Sequence, residues 1–195
     1  MTELDSKIDF NEPSQKELEL TKRITQLEQR LEKVLLLLPD VYRYEKLQEL
    51  LAAGNFKEAD QETMKVMLEV EGKASQDDLT PGDLKTYPSH VLKVIDRLWC
   101  SYSNEHFGFS IQLKIYQEVG GTPQSVMEGS FKVLSEAAFK FGWKDDPKKL
   151  GLKDYDTMNF SLSAPQGQLP MQWWVSPYGT KLANFFLARL MECDF

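Results

Sequence analysis

Apolar residues in the first part of the chain fall at Leu20, Ile24, Leu27, Leu31, Val34 and Leu38. This 4-3-4-3-4 spacing predicts a helix with one apolar seam. Ser14 stands as its N-cap with Glu17 at the capping-box position. Pro39-Asp40 stops the helix and starts the next. The seam runs for under three heptads, so it reads either as one helix of a helical hairpin or as a strip for self-association. Tyr44, Leu47, Leu50 and Leu51 form a second stripe, ended by Gly54 as a C′ glycine. Asn55 with Glu58 caps a third helix carrying Phe56, Ala59, Thr63, Met67 and Leu68, and Gly72 closes it. Residues 1–13 read as a loose terminus, 14–72 as a helical arm and 73–195 as a core domain.

Residues 73–88 are turn-rich and predict a loop. Ser89 caps a helix with a broad apolar face made by Val91, Leu92, Ile95, Leu98, Trp99 and Tyr102. Two patterns then overlap. Phe107, Phe109, Ile111, Leu113 and Ile115 alternate as in a strand. Ile111, Ile115 and Val119 also fit a helix capped by Ser110 and ended by Gly120-Gly121. Pattern alone leaves both open. Met127, Phe131, Leu134, Ala138 and Phe141 predict a helix over 125–141. Leu182, Phe185, Phe186 and Leu190 predict a last one within 177–193. Tyr155 to Ser163 reads as a short strand or extended loop, and Ala164 to Pro170 as a turn-rich loop.

Composition narrows the function classes. The 195 residues carry a net charge of −7, which disfavours nucleic acid as the main partner. Residues 1–72 hold 10 basic against 16 acidic side chains, whereas 18 of the 22 aromatics lie at or after Tyr87. Ligand chemistry therefore belongs to the aromatic-rich second part. Two cysteines without a CxxC spacing exclude a disulfide scaffold and a Cys-built zinc site. The longest apolar run, Val34 to Leu38, is far short of a membrane span. The acidic N-terminus resembles neither a signal nor a transit peptide, which gives a cytoplasmic expectation.

Polar chemistry is sparse. His90 and His106 are the only histidines, and no HExxH, GxSxG, Walker A, GxGxxG or EF-hand pattern is present. His90 and His106 read as surface residues, Cys100 as a small core or boundary residue and Asp96 as a solvated or capping carboxylate. Asp77-Asp78 and Asp145-Asp146 lack the rest of a metal ligand set, so no metal site is expected. The suggestive constellation is apolar. Phe107-Gly108-Phe109, Trp143, and Leu169 to Trp174 put large side chains into turn-rich segments, near Lys144, Lys148, Lys149 and Lys153. A loop-built cup would suit a flat hydrophobic ligand with carboxylates. Taken alone, the pattern favours the plainer reading that these aromatics close the core.

The order of particular residues adds to this. Ile95-Asp96-Arg97-Leu98-Trp99, Tyr102-Ser103, Phe107-Gly108-Phe109-Ser110-Ile111-Gln112 and Ile115-Tyr116 resemble the signature of the genomes-uncoupled tetrapyrrole-binding family, the porphyrin-binding accessory proteins of magnesium chelatase. Gly142-Trp143, Tyr155, Phe160 and Ala164-Pro165-x-Gly167-x-Leu169-Pro170 follow in the same order as in that family. Upstream, Tyr44-x-x-Leu47-x-x-Leu50-Leu51 and Gly54-Asn55-Phe56-x-x-Ala59-Asp60-x-x-Thr63 resemble the segment that opens its conserved region.

The resemblance implies an all-α fold: an N-terminal helical arm or bundle, then an all-helical cupped core, with residues 110–119 helical. It implies a non-enzymatic protein of cyanobacterial type whose apolar palm binds protoporphyrin IX and magnesium protoporphyrin IX. It implies stimulation of magnesium chelatase through the large porphyrin-binding subunit, and a place in the cytoplasm or at the periphery of thylakoid or plasma membrane. The ligand-binding residues expected on this reading are Phe107, Phe109, Trp143, Lys144, Lys149, Phe160, Leu169, Trp173 and Trp174. Two departures mark the chain as a divergent member. Gln168 stands where the family usually has histidine, and residues 141–178 contain no arginine. The alternative reading is a protein–protein adaptor of the same fold, with altered (for example bilin) or lost ligand binding.

Overall fold

The computed structural model describes residues 15–36 and 40–195. The readings of Ser14, Leu38 and Pro39 lie outside that range. Every regular element among the described residues is helical. The chain divides after Tyr42 into two compact units. The first contains α1 (Gln15–Leu36), with Glu17 in its first turn and Lys33 in its last, an order that suits the helix dipole. Its seam side chains Leu20, Ile24, Leu27, Leu31 and Val34 are 49–62% exposed.

The second unit begins within α2 (Val41–Ala52) and continues through α3 (Phe56–Val70). Leu47, Leu51, Phe56, Ala59 and Met67 of these helices belong to the same core as the C-terminal aromatics. So α2 and α3, which the sequence reading grouped with the arm, lie in the larger unit. Asn55 begins α3 without a side-chain cap, and Gly72 ends it at φ +63°. Residues 73–88, expected as loop, contain a 3₁₀ turn (Gln76–Asp78) and α4 (Pro81–Lys85). Thr80 and Asp83 form a capping box there, with Pro81 in the first turn.

Helices α5 (Ser89–Ser103) and α6 (Phe109–Glu118) settle the ambiguous stretch in favour of helix. The cap comes from far along the chain. Asp96 of α5 accepts from Ser110 N at 2.8 Å and Ser110 Oγ at 2.9 Å, so a buried carboxylate satisfies the first turn of α6. Gly108 precedes α6 at φ +143°, and a Cβ there would lie 2.7 Å from both Asp96 Oδ1 and Cys100 Sγ. Only glycine permits this close crossing. The helix expected over 125–141 is two helices, α7 (Pro123–Met127) and α8 (Phe131–Lys140), separated by Gly129 at φ +63°. Helix α9 (Thr180–Met191) closes the unit and packs against α4, α6, α7 and α8. Tyr155–Thr157 and Gln172–Trp174 are 3₁₀ turns rather than strand or open loop.

Candidate functional site

The segment from Ala164 to Gln172 is a strap fastened at almost every residue. Gly167 N donates to His106 O at 2.9 Å, and Gly108 N to Leu169 O at 3.0 Å. Gln112 Nε2 donates to Gly167 O at 3.0 Å and Pro170 O at 2.7 Å. His106 Nε2 lies 2.7 Å from Ala164 O, so this half-buried histidine ties two loops together rather than sitting free on the surface. At the far end Met171 N and Gln172 N bond to Asp60, which also accepts from Tyr155 Oη at 2.9 Å. Burial raises the Asp60 carboxyl to about 6, against the pull of these three donors. Leu169-Pro170 is a cis peptide.

Most of the expected ligand-facing aromatics lie under this strap. Phe107, Phe109, Trp143, Leu169 and Trp173 are all within 1% of complete burial. Phe107 packs edge-on to Phe56 and Trp99, with centroids 5.5 and 6.2 Å away. Phe109 meets Phe186 at 5.2 Å, and Trp173 meets the same ring at 4.0 Å. Trp143 Nε1 donates to Gln168 O at 2.8 Å. The structure therefore places these five in the core rather than on the wall of one open cleft. The physical reason is the strap: a tightly bonded loop turns its large side chains inward to cover the ends of helices. Phe160 is half-buried against Tyr155, at 5.1 Å, with Lys57 Nζ 5.4 Å above its ring.

The remaining three come together. Lys144 and Trp174 line a cleft of about 190 Å³ with Phe131, Leu134, Ser135 and Ala138 of α8, Gly151, Leu152, and Gly179 and Thr180 at the start of α9. A neighbouring hollow of about 150 Å³ shares Lys144, Gly151 and Leu152 and adds Lys149 and Lys153 with Asp145 and Asp146. The cleft is apolar apart from a few donors. Lys144 is only 6% exposed. Its Nζ donates to Ser135 Oγ at 2.7 Å and lies 5.2 Å from the Phe131 ring. Ser135 Oγ in turn donates to Pro147 O at 2.6 Å. Among the described residues no carboxylate pairs with Lys144, whereas Lys153 is paired with Asp145 at 2.9 Å. The buried Trp174 Nε1 has no acceptor either. A helix N-terminus at the same wall adds partial positive charge. An apolar slot beside an ammonium without a carboxylate partner is suited to an apolar molecule bearing an acid group.

Sequence reasoning missed the α8 side of this cleft. Phe131, Leu134 and Ala138 were legible as a helix face, but nothing in the spacing says that part of the face stays open. One signal was readable: Leu150 and Leu152 stand in a loop of lysines and aspartates, and both are exposed, by 85% and 40%. Other polar candidates have structural duties. Asp96 caps α6, with burial raising its carboxyl against the bonds from Ser110 and Cys100. The Cys100 thiol is half-buried and pushed up to about 11, chiefly by that burial. No group of three or more His, Cys, Asp or Glu that could hold a metal ion occurs among the described residues.

A family model described as GUN4-like matches residues 39–183. The chain belongs to the GUN4-like family. A Ycf53-like protein of Synechocystis sp. is 32% identical over 130 residues, 66% of this chain and 50% of that protein. The tetrapyrrole-binding protein, chloroplastic, of Arabidopsis thaliana is 32% identical over 78 residues, 39% of this chain and 29% of that one. This chain thus spans about half the length, or less, of these curated relatives. The ligand-free structure of Arabidopsis thaliana GUN4 aligns with a TM-score of 0.57 at 25% identity, over 75% of this chain and 91% of that one. GUN4 of Chlamydomonas reinhardtii shares the fold, with a TM-score of 0.56 at 22% identity over 78% and 89%. The GUN4-like match begins just before α2 and ends within α9, so the strap and both walls of the Lys144 cleft fall inside it.

Proposed function

We propose that this chain is a non-catalytic tetrapyrrole-binding protein. Its α8 cleft accepts an edge of the macrocycle, and Lys144 meets a carboxylate on that edge. The observation that carries the reading is Lys144 itself, an ammonium 6% exposed beside an apolar slot, with no carboxylate partner among the described residues. An unpaired buried charge is costly, so an anionic ligand group that reaches it gains binding free energy. The name of the Arabidopsis relative supports the ligand class. A cleft of about 190 Å³ is smaller than the roughly 300–1,000 Å³ of pockets that enclose a ligand. A porphyrin would therefore be held by one edge, with its faces partly open and Lys149 near the rim. Such a site releases its ligand readily to a following enzyme. Protoporphyrin IX and magnesium protoporphyrin IX are the ligands we place first. The partner we place first is the large subunit of magnesium chelatase, which the loaded chain would stimulate at a membrane periphery.

A second reading has its own support. Six of the nine expected ligand residues are core side chains, Trp174 at its edge among them, and residues 141–178 carry no arginine. An adaptor that kept the fold and lost the ligand would look the same in those respects. Titration of the purified chain with protoporphyrin IX and its magnesium form, followed at the Soret band, separates the two. Saturable binding weakened roughly 10- to 100-fold by Lys144→Met is the expected result, the loss corresponding to one charge-assisted hydrogen bond. A folded chain that binds neither porphyrin leaves the adaptor.

A further inference from the structure

Helix α1 carries an apolar seam with charged flanks on its surface. Its 22 residues make a rod of about 33 Å. Ile24 and Leu31 occupy a positions of a heptad repeat, whose first a position in the helix is Glu17, and Leu20, Leu27 and Val34 occupy d positions. All five are exposed. Among the described side chains of α1, Leu18 is the one exposed aliphatic off this seam. Two apolar positions per heptad make the narrow seam of a coiled coil, whereas docking on a globular core asks for a wider stripe. Most helices in water depend on packing of their apolar face for stability.

We infer that the occupant of this seam is α1 of a second copy, aligned in parallel and in register as a two-stranded coiled coil. The charges choose the orientation. The flanking g positions are Lys16, Arg23 and Arg30, all basic, and Glu28 lies at e. Parallel pairing sets g of one helix against the following e of the other, so Arg23 meets Glu28 of its mate twice per dimer. Antiparallel pairing sets g against g and brings the basic residues together. The central heptad, with Ile24 at a and Leu27 at d, follows the preference for two strands. A lipid surface fits less well. The outer face mixes Glu19, Lys22, Glu32 and Lys33, and an interfacial helix would be rich in cations there.

The test is sedimentation equilibrium of the full chain at protomer concentrations up to about 1 mM. A reversible monomer–dimer equilibrium that Leu27→Asp abolishes is expected. All four tryptophans lie between residues 99 and 174, so an unchanged tryptophan emission spectrum certifies that the core of the variant is folded. Arg23→Glu should weaken the dimer roughly three- to tenfold, the measure of two exposed ion pairs turned into like-charge contacts. Combining it with Glu28→Arg should restore the affinity. A monomer at every concentration, a dimer indifferent to Leu27→Asp, or a trimeric mass would overturn the proposal. Tighter association of the Arg23→Glu single variant would overturn the parallel alignment.

Discussion

Two buried charged groups define this protein at the scale of single residues, and they make opposite demands. Lys144 is the charge proposed to meet the ligand. Replacing it with methionine removes an ammonium with no carboxylate partner and fills the space with an apolar chain. The urea midpoint of Lys144→Met is therefore expected at or above that of the parent chain, by up to about 1 kcal/mol, while porphyrin affinity falls. A variant that loses stability together with binding would place Lys144 in the scaffold instead. Asp60 is the scaffold charge. Its folded pKa of about 6 lies above the unfolded value near 4. The folded state therefore holds the proton more tightly, and the contribution of this group to stability falls as pH rises from about 4 to 6. The slope is at most about 1.4 kcal/mol per pH unit. Denaturation at pH 5 and pH 7 should show this decline in the parent chain and its loss in Asp60→Asn, so the difference between the two chains isolates the one carboxyl. Neither role was legible as such. Asp60 appeared only as a letter in a motif, and Lys144 as one of four loop lysines. What separates them is burial, which depends on contacts 95 to 112 residues away for Asp60.

The elements themselves were easier to read than their edges. Helices α1, α2, α3, α5 and α9 follow from apolar periodicity, because each buries or presents one clear stripe. The stretch after Ser103 was undecidable for a definite reason. Its helix is capped by Asp96, fourteen residues upstream on a different helix, and no local pattern contains that information. The junction also explains why glycine stands at 108. With φ at +143° and two atoms at 2.7 Å from a hypothetical Cβ, Gly108→Ala should cost at least 1–3 kcal/mol, the usual range for such backbone strain, before the steric contact is counted. Chemical denaturation measures it directly. A neutral substitution would mean that the α5–α6 crossing relaxes far more easily than its hydrogen bonds suggest. The strap from Ala164 to Gln172 makes the same point in reverse. Its motif residues drew attention as ligand contacts, and the structure uses them to bond loop to loop, leaving the cleft to Lys144, Trp174 and α8.

For the molecule as a whole, the two compact units correspond to a division of labour. The first carries the exposed seam of α1, and the second, from α2 onward, builds a closed core with an apolar cleft beside Lys144. The two functions proposed here are thus separable. Leu27→Asp, which breaks self-association, should leave the porphyrin titration curve unchanged when followed per protomer, and a shift in its midpoint would reveal coupling between the units. The cleft wall also has an optical consequence. Trp174 lies 4.6 Å from both Trp143 and Trp173, with ring planes inclined by 66° and 47°. Indoles this close and this oblique share their excited states, so the trio should give an exciton couplet in circular dichroism, centred on the one tryptophan that borders the cleft. Trp174→Phe should collapse the couplet, and a guest entering the cleft should distort it. The protein therefore carries its own chiral reporter of occupancy, readable without any label.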